Sequence, residues 1–445
     1  MKYTFGYDMW QYRNTRTKTP IVWDDEKVVN AHFLLVGGSG MGKTYTIRQI
    51  VRELAKQSKK LRIHVVDVHG DIDIGDDVTS TVSFSEVAEY GLNPLEISAD
   101  EEFGGVRKKV RQFISMLNRT SRKLGEIQEN ALSNLLYDLY KANGFVPEDR
   151  RTWSLNYDPR PYAKYKKKYP TISDLKKFTE YKLKQMMFGT GAKAIHDFEK
   201  VVKSVKQIGT KYQQKEKNKF DEEKQIKLQE QIEKLCDTAI KSYSDGIQNL
   251  KSGTELNELI RYKSVDTIQS IFIRITNLEE SGIFKPQKPN FDENKPVHRY
   301  VIKSLNDNEQ KMFVDILLEK LFMDAKERGE SKELLTLVVV DEAHKFTSDE
   351  PEHVMNLIAK EARKFGFGMM WASQSFGHFG EDIIANTSTK VILGIDEMFQ
   401  DTSAKKLKIA VKRFGYIQPH KTAIVQIKKK GELKNQFVDV QYKVD

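Results

Sequence analysis

Phe33-Leu34-Leu35-Val36-Gly37-Gly38-Ser39-Gly40-Met41-Gly42-Lys43-Thr44 sets the architecture of everything around it. The first four residues are apolar and read as a buried strand. The turn after them fits G-x-x-x-x-G-K-[ST], with Gly37, Gly42, Lys43 and Thr44 in the fixed places. A helix is expected over 45–56, because Ile47, Ile50, Val51 and Leu54 recur at helical spacing. Strand, loop and helix in that order are the context a phosphate-binding loop requires.

The residue types explain the chemistry. Glycines let successive backbone N–H groups turn inward and close on a phosphate without Cβ clashes. The helix start adds the positive end of its dipole. The Lys43 ammonium reaches β- and γ-phosphates, and the Thr44 hydroxyl is a ligand for Mg²⁺. Gly37, Gly38, Ser39, Gly40, Met41, Gly42, Lys43, Thr44 and Tyr45 are therefore the expected ATP cradle. A glycine turn that binds nothing is the bland alternative, and the flanking elements argue against it.

A chain of 445 residues has room for two or three domains, or for one large domain with insertions. It carries 73 Lys and Arg against 63 Asp and Glu, a net charge of +10. That excess suits a polyanionic partner or simply solubility. The single cysteine, Cys236, excludes a disulfide framework and a cysteine metal cage, and suits a reducing cytosol. The N-terminus lacks the apolar core of a signal peptide, and no apolar run approaches membrane length. The expectation is a cytoplasmic protein with no membrane anchor.

Residues 1–32 are too few for an independent core, although Ile21-Val22-Trp23 reads as a short strand. Residues 61–67 read as a strand ending on Asp67. Carboxyl ends of strands face the ligand crevice in α/β sheets, so Asp67 is expected near the nucleotide. From 98 to 285 strand signals vanish and helical periodicity takes over, with helices expected over 106–117 and 127–140. Val201, Val205, Ile208 and Tyr212, then Leu228, Ile232, Leu235 and Ala239, predict a helical hairpin joined by a polar stretch over 213–227. Within this block, 153–169 interleaves Arg160, Lys164, Lys166, Lys167 and Lys168 with Tyr162, Tyr165 and Tyr169. Such a stretch binds nucleic acid or docks on its own domain.

Strands resume at 299–303, followed by a helix over 309–328. Residues 334–342 form a continuous apolar run ending on Asp341 and Glu342, which predicts a central parallel strand. A carboxylate at the end of a strand adjacent to the phosphate loop holds Mg²⁺, here Asp341 together with Thr44. The second acid, Glu342, polarises the attacking water. A helix over 350–364 ends near Arg363 and Lys364, a strand over 367–373 ends at Gln374, and another covers 389–395. Gln374 is placed to sense the γ-phosphate, and Arg363 to reach a neighbouring subunit's nucleotide as an arginine finger. The tail, 422–428 and 436–442, alternates like an exposed β-hairpin. The fold expected is α/β: a RecA-like P-loop core with a mostly parallel sheet, a helical insertion between the two Walker motifs, and a C-terminal hairpin. Its expected units are 1–97, 98–285 and 286–445.

Asp341-Glu342-Ala343-His344 also spells the label of the DEAH-box helicases. Those enzymes keep their two nucleotide motifs closer together and carry a second RecA-like domain. Here roughly three hundred residues separate Lys43 from Asp341, and only about a hundred follow.

The full set resembles the FtsK–HerA superfamily, and its HerA branch most closely. The matching stretches are 30–36 with the phosphate loop, Val66-Asp67-Val68-His69-Gly70, Leu92-Asn93-Pro94-Leu95, Val340-Asp341-Glu342-Ala343-His344, Glu361-Ala362-Arg363-Lys364-Phe365-Gly366 and Ala372-Ser373-Gln374-Ser375. The resemblance covers most of 20–445. It implies a hexameric ring, ATP and Mg²⁺ at subunit interfaces, and double-stranded DNA pumped through a pore. It also implies a partner nuclease or a defence effector. Two departures are expected: no room for the small N-terminal β-barrel of HerA proteins, and none of the membrane helices of conjugation coupling proteins. Partner docking would then fall to the helical insertion or the C-terminal hairpin. Besides the DNA motor, an ATP-gated ring scaffold and a DNA-packaging ATPase remain as alternative readings.

Overall fold

The structure is a computed structural model and describes residues 1–160, 166–188, 192–217, 222–249, 261–432 and 435–442. An 11-stranded sheet runs through the molecule in the order β2-β1-β11-β10-β9-β3-β8-β7-β4-β6-β5. Its strands are β1 Lys2–Asp8, β2 Pro20–Asp24, β3 Phe33–Gly37, β4 Arg62–Asp67, β5 Thr79–Ser83, β6 Val297–Val301, β7 Ser331–Val340, β8 Phe365–Ser373, β9 Thr389–Gly394, β10 Thr422–Ile427 and β11 Phe437–Gln441. From β9 to β5 every neighbouring pair is parallel. From β9 outward through β10, β11, β1 and β2 every pair is antiparallel.

The central strands are covered on both faces, as their continuous apolar runs require. All nine residues of β8 and all five of β3 are buried. One face packs α2 (Lys43–Gln57) through Ile47, Ile50, Val51 and Leu54. The other packs α9 (Asp307–Arg328), α10 (Val354–Glu361), α11 (Glu381–Asn386) and α12 (Glu397–Leu407). A capping box of Asn306 and Glu309 starts α9, which satisfies orphan N–H groups at its first turn. A short helix, α1 (Met9–Thr15), links β1 to β2.

Between β5 and β6 the described residues are helical: α3 (Val106–Thr120), α4 (Glu126–Ala142), α5 (Ile172–Phe188), α6 (Ala192–Lys217), α7 (Glu222–Gln248) and α8 (Val265–Glu280). Helices α3 and α4 pack together, α3 lies on α9, and α5 lies on α8. Helices α6 and α7 pair along their length as the expected hairpin. The polar join expected over 213–227 is itself helical up to Lys217 and again from Glu222. Its residues 218–221 lie outside the described residues.

Three expectations change. The paired-acid strand is not adjacent to the phosphate-loop strand: β8 lies between β3 and β7, so the residue ending β8 stands between the two motifs. The C-terminal hairpin is not exposed. Strand β10 is inserted between β9 and β11 with Ala423, Ile424 and Val425 buried, so its alternation does not mark a solvent face. The first 32 residues add β1 and β2 to the main sheet, where Phe5 and Trp23 join the core. Among the described residues, no helix is long and apolar enough to cross a membrane.

Candidate nucleotide site

The phosphate loop begins where β3 ends. Gly37 bulges against Gly394 of β9, and the Gly38 N–H donates to the Gly394 carbonyl at 2.9 Å. The Met41 N–H donates to the Gly38 carbonyl at 3.2 Å and closes the turn. Gly40 and Gly42 take φ values of +74° and +89°, the left-handed region that favours glycine. Gly42 then caps α2 without a side-chain hydrogen bond, which leaves the first N–H groups of the helix for an anion. Ser39 and Tyr45 are exposed, and Met41, Lys43 and Thr44 are half-buried beside them.

The other half comes from the parallel strands alongside. Lys43 Nζ donates to Glu342 Oε1 at 2.6 Å and lies 3.9 Å from Asp341 Oδ1. Gln374, just past β8, places its amide 3.5 Å from Glu342 Oε2, and His344 Nδ1 lies 3.2 Å from the same oxygen. The site therefore gathers Lys43, Asp341, Glu342 and Gln374 at the carboxyl end of the sheet, where α/β proteins bind ligands. Glu342 holds φ 46° and ψ 40°, a left-handed backbone that costs a side-chain-bearing residue about 1–2 kcal/mol.

Environment separates the two acids. Burial pushes the Asp341 carboxyl up, Lys43 pulls it back and Glu342 raises it again, leaving it at about 6. Burial also pushes Glu342 up, but the hydrogen bond and charge of Lys43, helped by His344 and His69, bring it below the ordinary glutamate value. Asp341 Oδ1 is buried with no hydrogen-bond partner. An orphaned carboxylate oxygen beside a phosphate loop fits Mg²⁺, with Thr44 the other protein ligand at hand. Among the described residues no three His, Cys, Asp or Glu side chains stand together to hold a metal unaided. Phosphate and water oxygens would complete such a shell.

Two expected site residues make no contact with this cluster, Asp67 although it ends β4 beside Asp341, and Arg363 because it lies apart from it. Asp67 is wholly buried; its carboxylate accepts from Arg299 Nη2 at 2.6 Å and from the N–H groups of Gly70 and Ile72. It shapes the turn after β4 instead of offering a free ligand to nucleotide. Arg363 sits in the short 3₁₀ turn Ala362–Lys364 that leads into β8, exposed. Since β8 runs parallel to β3, Arg363 is at the end of the sheet opposite the phosphate loop.

The basic aromatic stretch mostly turns inward. Lys167 is buried, with Nζ donating to the carbonyls of Thr152, Ser154 and Tyr157 and lying 4.1 Å from the centre of the Phe145 ring. Arg160 pairs with Asp158 at 2.7 Å, and Tyr169 stacks on Phe145. Tyr162, Lys164 and Tyr165 lie outside the described residues. Arg160, Lys167 and Tyr169 thus make the contacts of a loop docked on its own domain, while Lys166 and Lys168 are exposed.

Sequence reasoning missed His420. Its Nε2–H donates to the Gly40 carbonyl at 2.9 Å, and its ring Nδ1 would lie 3.1 Å from a Cβ on Gly42. No motif surrounds it, and it comes from the far end of the chain. His344 was visible inside the Asp-Glu-Ala-His run but had no assigned task. Arg299 was legible only as a basic residue in a strand.

A family profile described as "Helicase HerA, central domain" matches residues 12–321. The chain belongs to that family. Among curated HerA relatives, the DNA double-strand break repair helicase HerA of Pyrococcus furiosus is 29% identical over 181 residues, covering 33% of this chain and 33% of that protein. A "Probable helicase" of Methanocaldococcus jannaschii is 24% identical over 408 residues, 87% of this chain and 61% of that one. The chain thus spans less than two thirds of the length of either. Among solved structures, VirB4 of Thermoanaerobacter pseudethanolicus superposes with a TM-score of 0.61 at 13% identity, over 99% of this chain and 96% of that one. The bacterial conjugative coupling protein TrwB gives 0.52 at 12% identity, over 100% and 93%. At such identities these two speak for the fold of the HerA-family chain: the α/β architecture of the P-loop ATPases.

Proposed function

We propose that this chain is an ATP-hydrolysing motor that works on double-stranded DNA as a hexameric ring, alongside a nuclease or a defence effector. The observation that carries the reading is the meeting of Lys43 with Asp341 and Glu342, from motifs roughly three hundred residues apart. The names of the HerA relatives support a helicase, and one TrwB structure is described as a complex with ADP and Mg²⁺.

The residues divide the work. The Lys43 ammonium serves the β- and γ-phosphate oxygens, and the Glu342 carboxylate beside it takes a proton from the attacking water. Gln374 and His344 keep its second oxygen oriented. Thr44 and Asp341 would hold Mg²⁺, which would supply charge neutralisation on the phosphate oxygens. Arg363 is remote from its own phosphate loop, so its target is the nucleotide of a neighbouring subunit, which is the reason to expect a ring. The segments 1–97, 98–285 and 286–445 serve as first half-core, helical insertion and second half-core.

The ATP-gated scaffold has one observation in its favour. The α6–α7 hairpin carries exposed Val202, Val205, Tyr212, Ile226, Ile240 and Tyr243, apolar surface of the kind that takes a protein partner. Steady-state ATPase with and without duplex DNA at low salt separates the readings. The motor predicts a several-fold rise with DNA, lost as salt increases. Turnover that ignores DNA would leave the scaffold.

A further inference from the structure

At the end of the sheet away from the phosphate loop, a cavity of about 500 Å³ is lined by Lys390, Lys405, Lys406, Lys408 and Lys428, with Glu381 the carboxylate among its lining residues. Lys390 is the second residue of β9 and is 3% exposed. Its Nζ donates to the Thr387 carbonyl at 2.8 Å and to Oε1 of Gln426, its register partner on β10, at 3.2 Å. Lys428 follows β10 and donates to the Ala385 carbonyl. Lys405 and Lys406 come from the last turn of α12, and Lys408 is its cap.

Helix geometry accounts for part of this. Lysines at a helix C-terminus complement its dipole, and Lys406 is already committed to the carbonyls of Gly377 and Phe379. The dipole does not account for Lys390 and Lys428, one buried and one half-buried, side by side at the floor of the cavity. Burying like charges together is unfavourable unless one gives up its proton or something negative joins them. Burial first, then Lys428, draws Lys390 down to about 7. Lys405 and Lys408 are exposed at the mouth and make no ion pair among the described residues.

We propose that this cavity binds backbone phosphates of DNA, a second anion site separate from the nucleotide pocket. The inference rests on the DNA part of the reading above. The cavity holds a phosphate and its sugar, not a duplex, so the duplex lies across the mouth and inserts backbone. The two sites stand at opposite ends of β9, and Lys390 and Gly394 are about 13 Å apart along it at roughly 3.3 Å per residue. Occupancy of one therefore does not block the other.

The test is the salt dependence of duplex binding, followed by fluorescence anisotropy of a labelled oligonucleotide. Three full-length proteins are compared: wild type, Lys405→Ala/Lys408→Ala, and a charge-matched control, Lys59→Ala/Lys332→Ala, from exposed positions elsewhere. Each phosphate contact contributes about 0.9 to the slope of log K against log salt. The expected result is a slope shallower by about 2 for Lys405→Ala/Lys408→Ala, with weaker binding and unchanged DNA-free ATPase and thermal midpoint. The control keeps the wild-type slope. Equal slopes for wild type and Lys405→Ala/Lys408→Ala, or an equal fall in the control, overturn the site while DNA binding stands. A wild type that binds no DNA removes both the site and the motor.

Discussion

Lys43 joins the two halves of the nucleotide site, because its ammonium satisfies Glu342 and lies beside Asp341. Lys43→Ala is expected to abolish measurable ATP turnover. Asp67 and Arg299 form a different kind of pair, wholly internal to the β4–β6 end of the sheet. Arg299→Met leaves a buried carboxylate unpaired, and the expected cost is about 3–5 kcal/mol, read as a large fall in the thermal midpoint. An unchanged midpoint would mean that Asp67 is paired elsewhere. His420→Ala removes the hydrogen bond to Gly40 from a loop built to hold phosphate. About 1 kcal/mol of loop ordering is lost with one such bond, so nucleotide affinity should weaken about fivefold, with a fall in the thermal midpoint of no more than a few degrees. Equal affinity in variant and wild type would reduce His420 to a neighbour. Motif spacing made Lys43, Asp341, Glu342 and Gln374 legible in the sequence. His420 was not, because a lone histidine in a loop carries no pattern until folding brings it to Gly40.

Strands β4 and β3 carry buried histidines at or beside them, which titrate in acid. Burial draws His64 down to about 3, with His298 and Arg62 adding to the effect, and draws His32 down to about 4. Both histidines have folded values below 6.5, so between 6.5 and about 4 the unfolded chain binds more protons than the folded one. Stability therefore falls as pH drops through that window. His64→Gln should show a smaller loss of thermal midpoint between pH 7 and pH 4.5 than wild type; identical losses would contradict the burial of a neutral ring. At the level of elements, apolar runs located β3, β7 and β8 because buried parallel strands need no alternation to be recognised. The same rule misread β10 and β11, whose alternation suggested a solvent face before β1 and β9 were known to flank them. Strand β5, at one edge of the sheet, and β1, one strand in from the other, went unseen because short strands of ordinary composition give little signal. The helical hairpin was legible, although Val205 and Tyr212 of the expected α6 seam are exposed, and its join was overestimated because polar composition alone does not end a helix.

For the whole molecule, the opposed placement of Arg363 and the phosphate loop is the argument for a ring. Subunits that carry Arg363→Ala or Lys43→Ala should each be inactive, the first by about 10³-fold if the arginine acts as a finger. Mixed in equal amounts, they should recover part of the wild-type rate, because some interfaces then join an intact loop to an intact arginine. Failure to recover would place Arg363 outside catalysis between subunits. The central claim is narrower than the ring: the glycine loop and the paired acids make one site in which Glu342 acts on water. The measurement that tests it most directly is ATP binding and ATP turnover by Glu342→Gln in parallel. The account predicts wild-type or tighter ATP binding, with turnover lower by about 10² to 10⁴. Turnover near the wild-type rate would contradict it.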